Sequence, residues 1–267
     1  MNTLRGISML LIILMLFLFT GCTKEKTDET KQVEITISAA ASLHESLLEI
    51  KKSYEKRHPE VELLFNFGGS GALQQQIAQG APTDIFISAA EEPFKQLVND
   101  GFIHKNDQMN LLKNKLVLIV ANDNPQKITS LKDLLKKEVK TIASGTPTSV
   151  PVGEYTREAL TSLQIWEDVK HKIVFAKDVR QVLTYVETKS ADAGLVYVTD
   201  ALTSQKVKVV TEIDEKNHRP IIYPVGIVKG AKNEQEAVAF FKYLQTKEAS
   251  EIFEKRAFSV IGSEIDE

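Results

Sequence analysis

Five places in the sequence combine small hydroxyl or glycine residues with a change from a strand-like to a helix-like pattern. They are residues 39–43 (AAASL), 67–72 (FGGSGA), 146–153 (TPTSVPVG), 176–180 (AKDVR) and 194–197 (GLVY). A helix that begins at such a junction presents backbone N–H groups without an intrahelical partner, together with a partial positive charge. Hydroxyl groups add further neutral donors. The combination favours a binding site for a fully ionised oxyanion.

Each junction also has a structural interpretation. The run Ser42-Leu43-His44-Glu45 fits a capping box at the start of a helix. Ser70 and Asp178 can be helix N-caps in the same way, and Tyr197 can be a core tyrosine. A single junction therefore does not distinguish ligand binding from capping, and the oxyanion hypothesis depends on the junctions acting together.

Other kinds of chemistry fit the sequence less well. The stretch 68–72 (GGSGA) lacks the last glycine of a G-x-S-x-G nucleophile elbow, so a secreted serine hydrolase using Ser70 is kept only as an alternative. No lysine follows these glycines as a Walker A loop requires. The five histidines show no paired spacing, and the one cysteine cannot complete a metal site of several cysteines. We expect no enzyme activity, no cofactor and no resident metal.

The elements that must position the junctions alternate between strand and helix. Alternating apolar residues in 61–67 predict a strand, and Leu43, Leu47, Ile50 and Tyr54 recur at helical spacing. The alternation continues to the end of the chain. It predicts an α/β fold with mostly parallel sheets flanked by helices. At 267 residues, the chain is long enough for two lobes.

Two long apolar stretches, near 116–121 and 221–228, are candidates for the segments that cross between lobes. Pro224 supports a break in the second, because proline cannot donate to a central strand ladder. We expect the first lobe to hold 33–119 and 226–267 and the second lobe to hold 120–225. A cleft between them would be the ligand site.

The amino terminus has the pattern of an exported lipoprotein. Arg5 precedes an apolar run over residues 7–19, which is shorter than the roughly 20 residues that span a bilayer. Cys22 then follows in the run FTGC, which resembles a lipobox. We expect a signal peptide over 1–21, lipidation at Cys22 and a polar tether over 22–32. The folded part would lie on the extracytoplasmic face of the cell membrane.

Composition limits the partners. The chain carries 33 Lys and Arg against 36 Asp and Glu, a formal charge of −3. Nucleic acid is not expected as a partner, because neutralising phosphates needs a basic surface. We expect a monomer held to the membrane only by its lipid anchor.

Six motifs together resemble the molybdate-binding component of ABC transporters, a two-lobed periplasmic-binding-protein-like family. They are AAASL, FGGSGAL, DIFISA, SVPVGEYTREAL, DVRQVL and GLVYVTDA, in that order. The resemblance implies capture of molybdate or tungstate and delivery to a membrane permease. It implies that molybdenum enters only as the oxyanion. The oxyanion-binding residues it implies are Ser42, Ser70, Val152, Val179 and Tyr197.

The sequence departs from the family pattern at two positions. Val152 stands where alanine is common, and Ala90 stands where aspartate is frequent. A backbone N–H survives the first change, although the larger side chain can alter the size of the pocket. Sulfate and phosphate remain alternative ligands on the same fold.

The lipid anchor gives the first testable prediction. Replacing Cys22 by Ser removes the thiol that would be acylated, so metabolic labelling with a radioactive fatty acid should be lost and the protein should be released from membranes. Stable attachment takes two acyl chains, at about 0.8 kcal/mol for each buried CH₂. Labelling that persists in Cys22→Ser would contradict the assignment.

Overall fold

A computed structural model of the protein describes residues 32–262. The predicted signal peptide, Cys22 and nearly all of the predicted tether lie outside the described residues. Within 32–262, no helix combines the length and the apolar character needed to cross a membrane.

Eleven strands in the described part of the chain form two sheets. In chain order they are β1 (Val33–Ala40), β2 (Val61–Gly68), β3 (Ile85–Ile87), β4 (Ile103–Lys113), β5 (Leu116–Ala121), β6 (Ile142–Gly145), β7 (Ile173–Ala176), β8 (Ala193–Tyr197), β9 (Val207–Glu212), β10 (Ile222–Val228) and β11 (Ser259–Val260). One sheet has the order β11-β4-β10-β3-β1-β2, and the other has the order β7-β6-β8-β5-β9. We call the parts built on these sheets the first lobe and the second lobe.

Helices flank both sheets. They are α1 (His44–Arg57), α2 (Ser70–Ala78), α3 (Glu91–Asn99), α4 (Pro151–Ser162), α5 (Trp166–Val169), α6 (Val179–Glu187), α7 (Val198–Ala201), α8 (Glu234–Tyr243) and α9 (Lys247–Lys255). Short 3₁₀ turns cover Ala41–Leu43, Leu131–Leu135, Lys170–Lys172 and Glu215–Asn217. The predicted α/β fold with two lobes is confirmed.

The sheets are mixed, whereas the sequence predicted mostly parallel ones. β1 pairs in parallel with β2 and β3, and β6 pairs in parallel with β7 and β8. The remaining pairings, which involve β4, β5 and β9 to β11, are antiparallel. β5 and β10 follow the two crossings between lobes and run opposite to their neighbours β8 and β3, and an alternating strand–helix pattern does not specify strand direction. β4 was not predicted, because its sequence (IHKNDQMNLLK) is mostly polar.

The polypeptide crosses between the two lobes twice, once between β4 and β5 and once between β9 and β10. β5 pairs only within the second sheet and β10 only within the first. The predicted boundaries at 119/120 and 225/226 therefore fall inside strands, and the crossings lie at 114–115 and within 213–221. The apolar stretches reflect burial: every residue of β5 is buried. A strand covered on both faces reads as a continuous apolar run wherever it lies.

The parallel strands position the junctions identified in the sequence. Strands β1, β2 and β3 run in one direction in the first lobe, as do β6, β7 and β8 in the second. Carboxyl ends of parallel neighbours share one edge of a sheet, which is where ligands bind in open α/β sheets. Five of these six strands, all except β3, end at or lead into the five predicted junctions.

Candidate functional site

A small cavity lies between the two lobes. Its lining residues are Ala40, Ala41, Ser42, Gly68, Gly69, Ser70 and Ala89 from the first lobe, and Val150, Pro151, Val152, Val179 and Tyr197 from the second. All five residues predicted to bind an oxyanion therefore line one cavity. None of the lining residues has a charged side chain.

Ser70 begins α2 directly after the turn that ends β2 and is completely buried. Its Oγ accepts a hydrogen bond from the Ala89 N–H at 2.9 Å. The hydroxyl hydrogen of Ser70 is therefore left for another acceptor. A buried hydroxyl with a free hydrogen at a cavity wall is suited to bind an anion.

Ser42 does not cap a helix. It lies inside the 3₁₀ turn Ala41–Leu43, and neither this turn nor α1 has a side-chain cap. Its Oγ lies 2.9 Å from the Tyr223 hydroxyl. The capping-box interpretation was wrong, because the chain between β1 and α1 passes through the extra turn.

Tyr197 ends β8 and is almost completely buried. Its ring packs edge-on against Tyr155 and Tyr223, as the core-tyrosine interpretation expected. Its hydroxyl, however, has no hydrogen-bond partner among the described residues. Burial raises the pKa of Tyr197 well above its ordinary value, so the phenol keeps its proton and can donate it.

The second lobe also supplies two helix starts. α4 begins at Pro151 and α6 at Val179, so Val152 and Val179 lie in first turns, whose N–H groups have no intrahelical partner. The predicted N-cap at Asp178 is confirmed: its side chain accepts from the Gln181 N–H at 2.8 Å. Capping of α6 leaves the Val179 N–H for the cavity.

One buried acid, Asp200, lies in α7, which directly follows Tyr197. Its Oδ2 has no hydrogen-bond partner among the described residues, and burial raises the pKa of Asp200 to about 7. A carboxyl with this pKa is partly protonated near neutral pH. Partial protonation limits the negative charge beside the phenols of Tyr197 and Tyr223.

The lobes touch through the glycine-rich turn after β2. The Gly71 N–H donates to the Ser149 carbonyl across the gap at 3.0 Å. A Cβ atom on Gly71 would lie 2.9 Å from Ser149 Cα, and one on Gly69 would lie 2.9 Å from both the Lys177 and the Ser149 carbonyl oxygens. The sequence suggested that these glycines let the backbone approach a ligand. The structure shows that Gly69 and Gly71 allow close approach of the other lobe, and that Gly69 also lines the cavity.

Ion pairs join the lobes at the rim of the gap. Arg180 of α6 lies 3.1 Å from Glu45 of α1. Arg219, in the second crossing, contacts Glu154 at 2.6 Å and reaches Glu92 of the first lobe at 3.5 Å. These side chains are partly exposed, so each pair contributes little by itself. In the described conformation the lobes are therefore in direct contact, through these ion pairs and the hydrogen bond from Gly71 to Ser149.

Sequence reasoning missed Tyr223 as a neighbour of the site. It is the single residue with a polar side-chain group in β10 (IYPVGIV). A phenol in an otherwise apolar strand is a signal that could have marked it. Nothing in the local sequence, however, places β10 beside Ser42, 181 positions away.

The chain is similar in sequence to known binding proteins. Residues 35–259 match the family model described as bacterial extracellular solute-binding protein. A Bacillus subtilis protein provisionally named an ABC transporter substrate-binding lipoprotein is 51% identical over 244 residues, which cover 91% of this chain and 93% of that protein. The molybdate-binding protein of Haemophilus influenzae is 37% identical over 235 residues, which cover 85% and 90%.

Among solved structures, the periplasmic molybdate-binding protein of Azotobacter vinelandii superposes with a TM-score of 0.76 at 21% identity, covering 85% of this chain and 99% of that one. At this identity the similarity concerns the fold alone. It agrees with the two-lobed arrangement described above.

The glycine contacts predict that Gly71→Ala prevents full closure. The added methyl group would meet backbone atoms of Ser149 at 2.9–3.1 Å, and backbone cannot rotate away as a side chain can. Small-angle scattering in excess molybdate, the ligand expected from the sequence, should give a larger radius of gyration for this variant than for the wild type.

Gly80→Ala is the matched control. It adds a methyl group just beyond the other end of α2, where no atom lies within 4 Å, although its φ of +89° makes the substitution strained. This control should lose stability and still close. Equal radii for Gly71→Ala and the wild type would show that the glycine contact does not limit closure.

Proposed function

The chain belongs to the family of bacterial extracellular solute-binding proteins, and from this premise we propose that it captures molybdate outside the cytoplasm and delivers it to the permease of an ABC transporter. Its relatives include substrate-binding and molybdate-binding proteins. The observation that supports molybdate is the cavity itself, where donors from both lobes converge without a charged side chain.

The donors match a tetrahedral dianion. Ser42, Ser70 and Tyr197 supply hydroxyl groups, and Val152 and Val179 supply backbone N–H groups from helix starts. Fixed N–H and O–H dipoles stabilise negative charge without a counter-ion. A ligand that carries no proton can accept from all of them at once.

Tungstate should bind as molybdate does, because the two anions have the same charge and nearly the same size. Sulfate has the same charge but shorter bonds, so a fixed set of donors spaced for the larger anion would form stretched hydrogen bonds to it. Monohydrogen phosphate would point its hydroxyl at a donor. Size and protonation, rather than charge, would therefore set the selectivity.

We propose four further features, on the basis of the sequence patterns. The protein acts by binding and release, not as an enzyme, and needs no cofactor. Lipidation at Cys22 would keep it at the outer face of the membrane as a monomer, next to its permease. Closure of the two lobes around the anion would present the loaded form to that permease.

Substitution of single donors tests the site. Hydrogen bonds to a charged group contribute about 1.5–3 kcal/mol, so Ser70→Ala and Tyr197→Phe should each weaken molybdate binding by roughly 10- to 150-fold. Isothermal titration calorimetry measures the change. Ser46→Ala and Tyr155→Phe are matched controls, because both residues are buried and neither lines the cavity.

Binding of molybdate by Ser70→Ala and Tyr197→Phe with the affinity of the wild type would place the oxyanion site elsewhere. Melting temperatures of the ligand-free variants separate a loss of stability from a loss of binding, since a ligand contact changes only the shift caused by molybdate.

Selectivity provides a second test of the proposal. Competition titrations at neutral pH should rank molybdate and tungstate well above sulfate and phosphate. For phosphate, the unpaired donor costs about 1–3 kcal/mol, or roughly 5- to 150-fold in affinity. Sulfate binding equal to or tighter than molybdate binding would reassign the ligand and leave the fold unaffected.

A further inference from the structure

Asn114 lies at the first crossing between the lobes and has a fixed amide orientation. Its Oδ1 accepts a hydrogen bond from the Lys115 N–H at 2.9 Å. Turning the amide over would place its NH₂ group against that N–H donor. The carbonyl side of Asn114 is therefore held toward Lys115, and the NH₂ group points the other way.

Both hydrogens of this NH₂ group have acceptors. Asn114 Nδ2 donates to Thr199 Oγ1 of the second lobe at 2.9 Å and to the Tyr223 hydroxyl of the first lobe at 3.1 Å. Asn114 has no acceptor atom facing Tyr223. The Tyr223 oxygen must accept here, and the hydrogen of its hydroxyl must go to a different partner.

Ser42 is that partner. Tyr223 is completely buried, and the other hydrogen-bond neighbour of its hydroxyl within the described residues is Ser42 Oγ, at 2.9 Å. Had Ser42 donated instead, the Tyr223 hydrogen would remain buried without an acceptor, which carries a full desolvation penalty. Tyr223 therefore donates and Ser42 Oγ accepts.

This direction settles what Ser42 can do. With its oxygen already accepting from Tyr223, the Ser42 hydroxyl hydrogen is free for an acceptor in the cavity that it lines. We infer that Asn114 and Tyr223 are positioning residues: the chain of hydrogen bonds Asn114→Tyr223→Ser42 sets the Ser42 hydroxyl as a donor to the bound oxyanion. The inference rests on the proposed function and adds to it two residues that do not line the cavity.

The state of Tyr223 agrees with this role. Burial raises the pKa of Tyr223 well above its ordinary value, so the phenol keeps the hydrogen that it donates. Its ring packs edge-on against Phe258 and Tyr197 and holds the hydroxyl in place. Because Asn114 binds Thr199 and Tyr223 from a crossing segment, the same amide also joins the two lobes behind the site.

A double-mutant cycle with Ser42→Ala and Tyr223→Phe tests the inference. Isothermal titration calorimetry with the anion that the wild type binds most tightly should give a loss of roughly 10- to 150-fold for Ser42→Ala, as for any hydroxyl donor to an anion. We expect Tyr223→Phe to weaken binding about 3- to 10-fold, because the serine hydroxyl remains but loses its orientation. If Tyr223 acts through Ser42, the double variant should bind no more weakly than Ser42→Ala.

Independent effects would overturn the inference. If Tyr223 has only a structural role, its effect and that of Ser42→Ala multiply in the double variant. Unchanged binding in Tyr223→Phe would overturn it as well. Tyr155→Phe, a buried tyrosine whose hydroxyl contacts the Pro220 carbonyl, is the control and should bind as the wild type does.

Asn114→Asp is a second variant, and it reverses the donor-to-acceptor direction of the hydrogen bonds that join Asn114, Tyr223 and Ser42. A carboxylate still accepts from the Lys115 N–H and also accepts from Tyr223, which then no longer donates to Ser42. Ser42 would donate to Tyr223 instead of the anion, so the loss should be at least as large as in Ser42→Ala. In the Tyr223→Phe background only the added charge can act, and the effect of Asn114→Asp should shrink. An undiminished effect of Asn114→Asp in the Tyr223→Phe background would contradict the chain of hydrogen bonds Asn114→Tyr223→Ser42.

The wild-type titrations separate this inference from the proposed function. Molybdate, tungstate, sulfate and phosphate are each titrated first, and the cycle is run with the anion that binds most tightly. If none of the four binds, the proposed function and the inference both fail. If the wild type binds molybdate and the cycle shows independent effects, only the inference fails.

Discussion

The convergence of uncharged donor groups from both lobes on one cavity is the arrangement on which the rest of the structure depends. No single strand or helix can present donors to one point from several directions. Two sheets whose parallel strands end at a common gap can do so, because each strand end leads into a turn or helix start with free N–H groups. The cavity is therefore a product of topology: its walls are strand ends from both lobes.

The donors are neutral, and their hydrogens are directed by other hydrogen bonds. Ser70 Oγ accepts from the Ala89 N–H, and in the hydrogen-bond chain that we infer, Ser42 Oγ accepts from the Tyr223 hydroxyl. In each case the serine oxygen already accepts a bond, so its hydrogen is left for the cavity. Prior orientation lowers the entropy lost on binding, which is the general advantage of a preorganised site.

Closure has its own requirements, distinct from those of the ligand. Gly69 and Gly71 allow backbones of the two lobes to approach to distances that any Cβ would prevent. Arg180 and Arg219 add exposed ion pairs at the rim. The glycine-rich turn thus contributes to both, because Gly69 and Ser70 line the cavity while Gly69 and Gly71 meet backbone atoms of the second lobe.

The sequence alone determined the fold class, the order of most elements, the Asp178 cap and the five junctions, all of which follow from periodicity and from strand-to-helix transitions. The five residues that meet at the cavity were implied by the resemblance of six motifs to a known family. Tertiary structure decided the rest. The polar strand β4, the mixed pairing, the crossings at 114–115 and 213–221 and the hydrogen-bond partner of Ser42 all depend on contacts between distant segments. Periodicity records which face of a segment is buried, but not which partner buries it, so the contact of Ser42 with Tyr223 across 181 positions had no local signal.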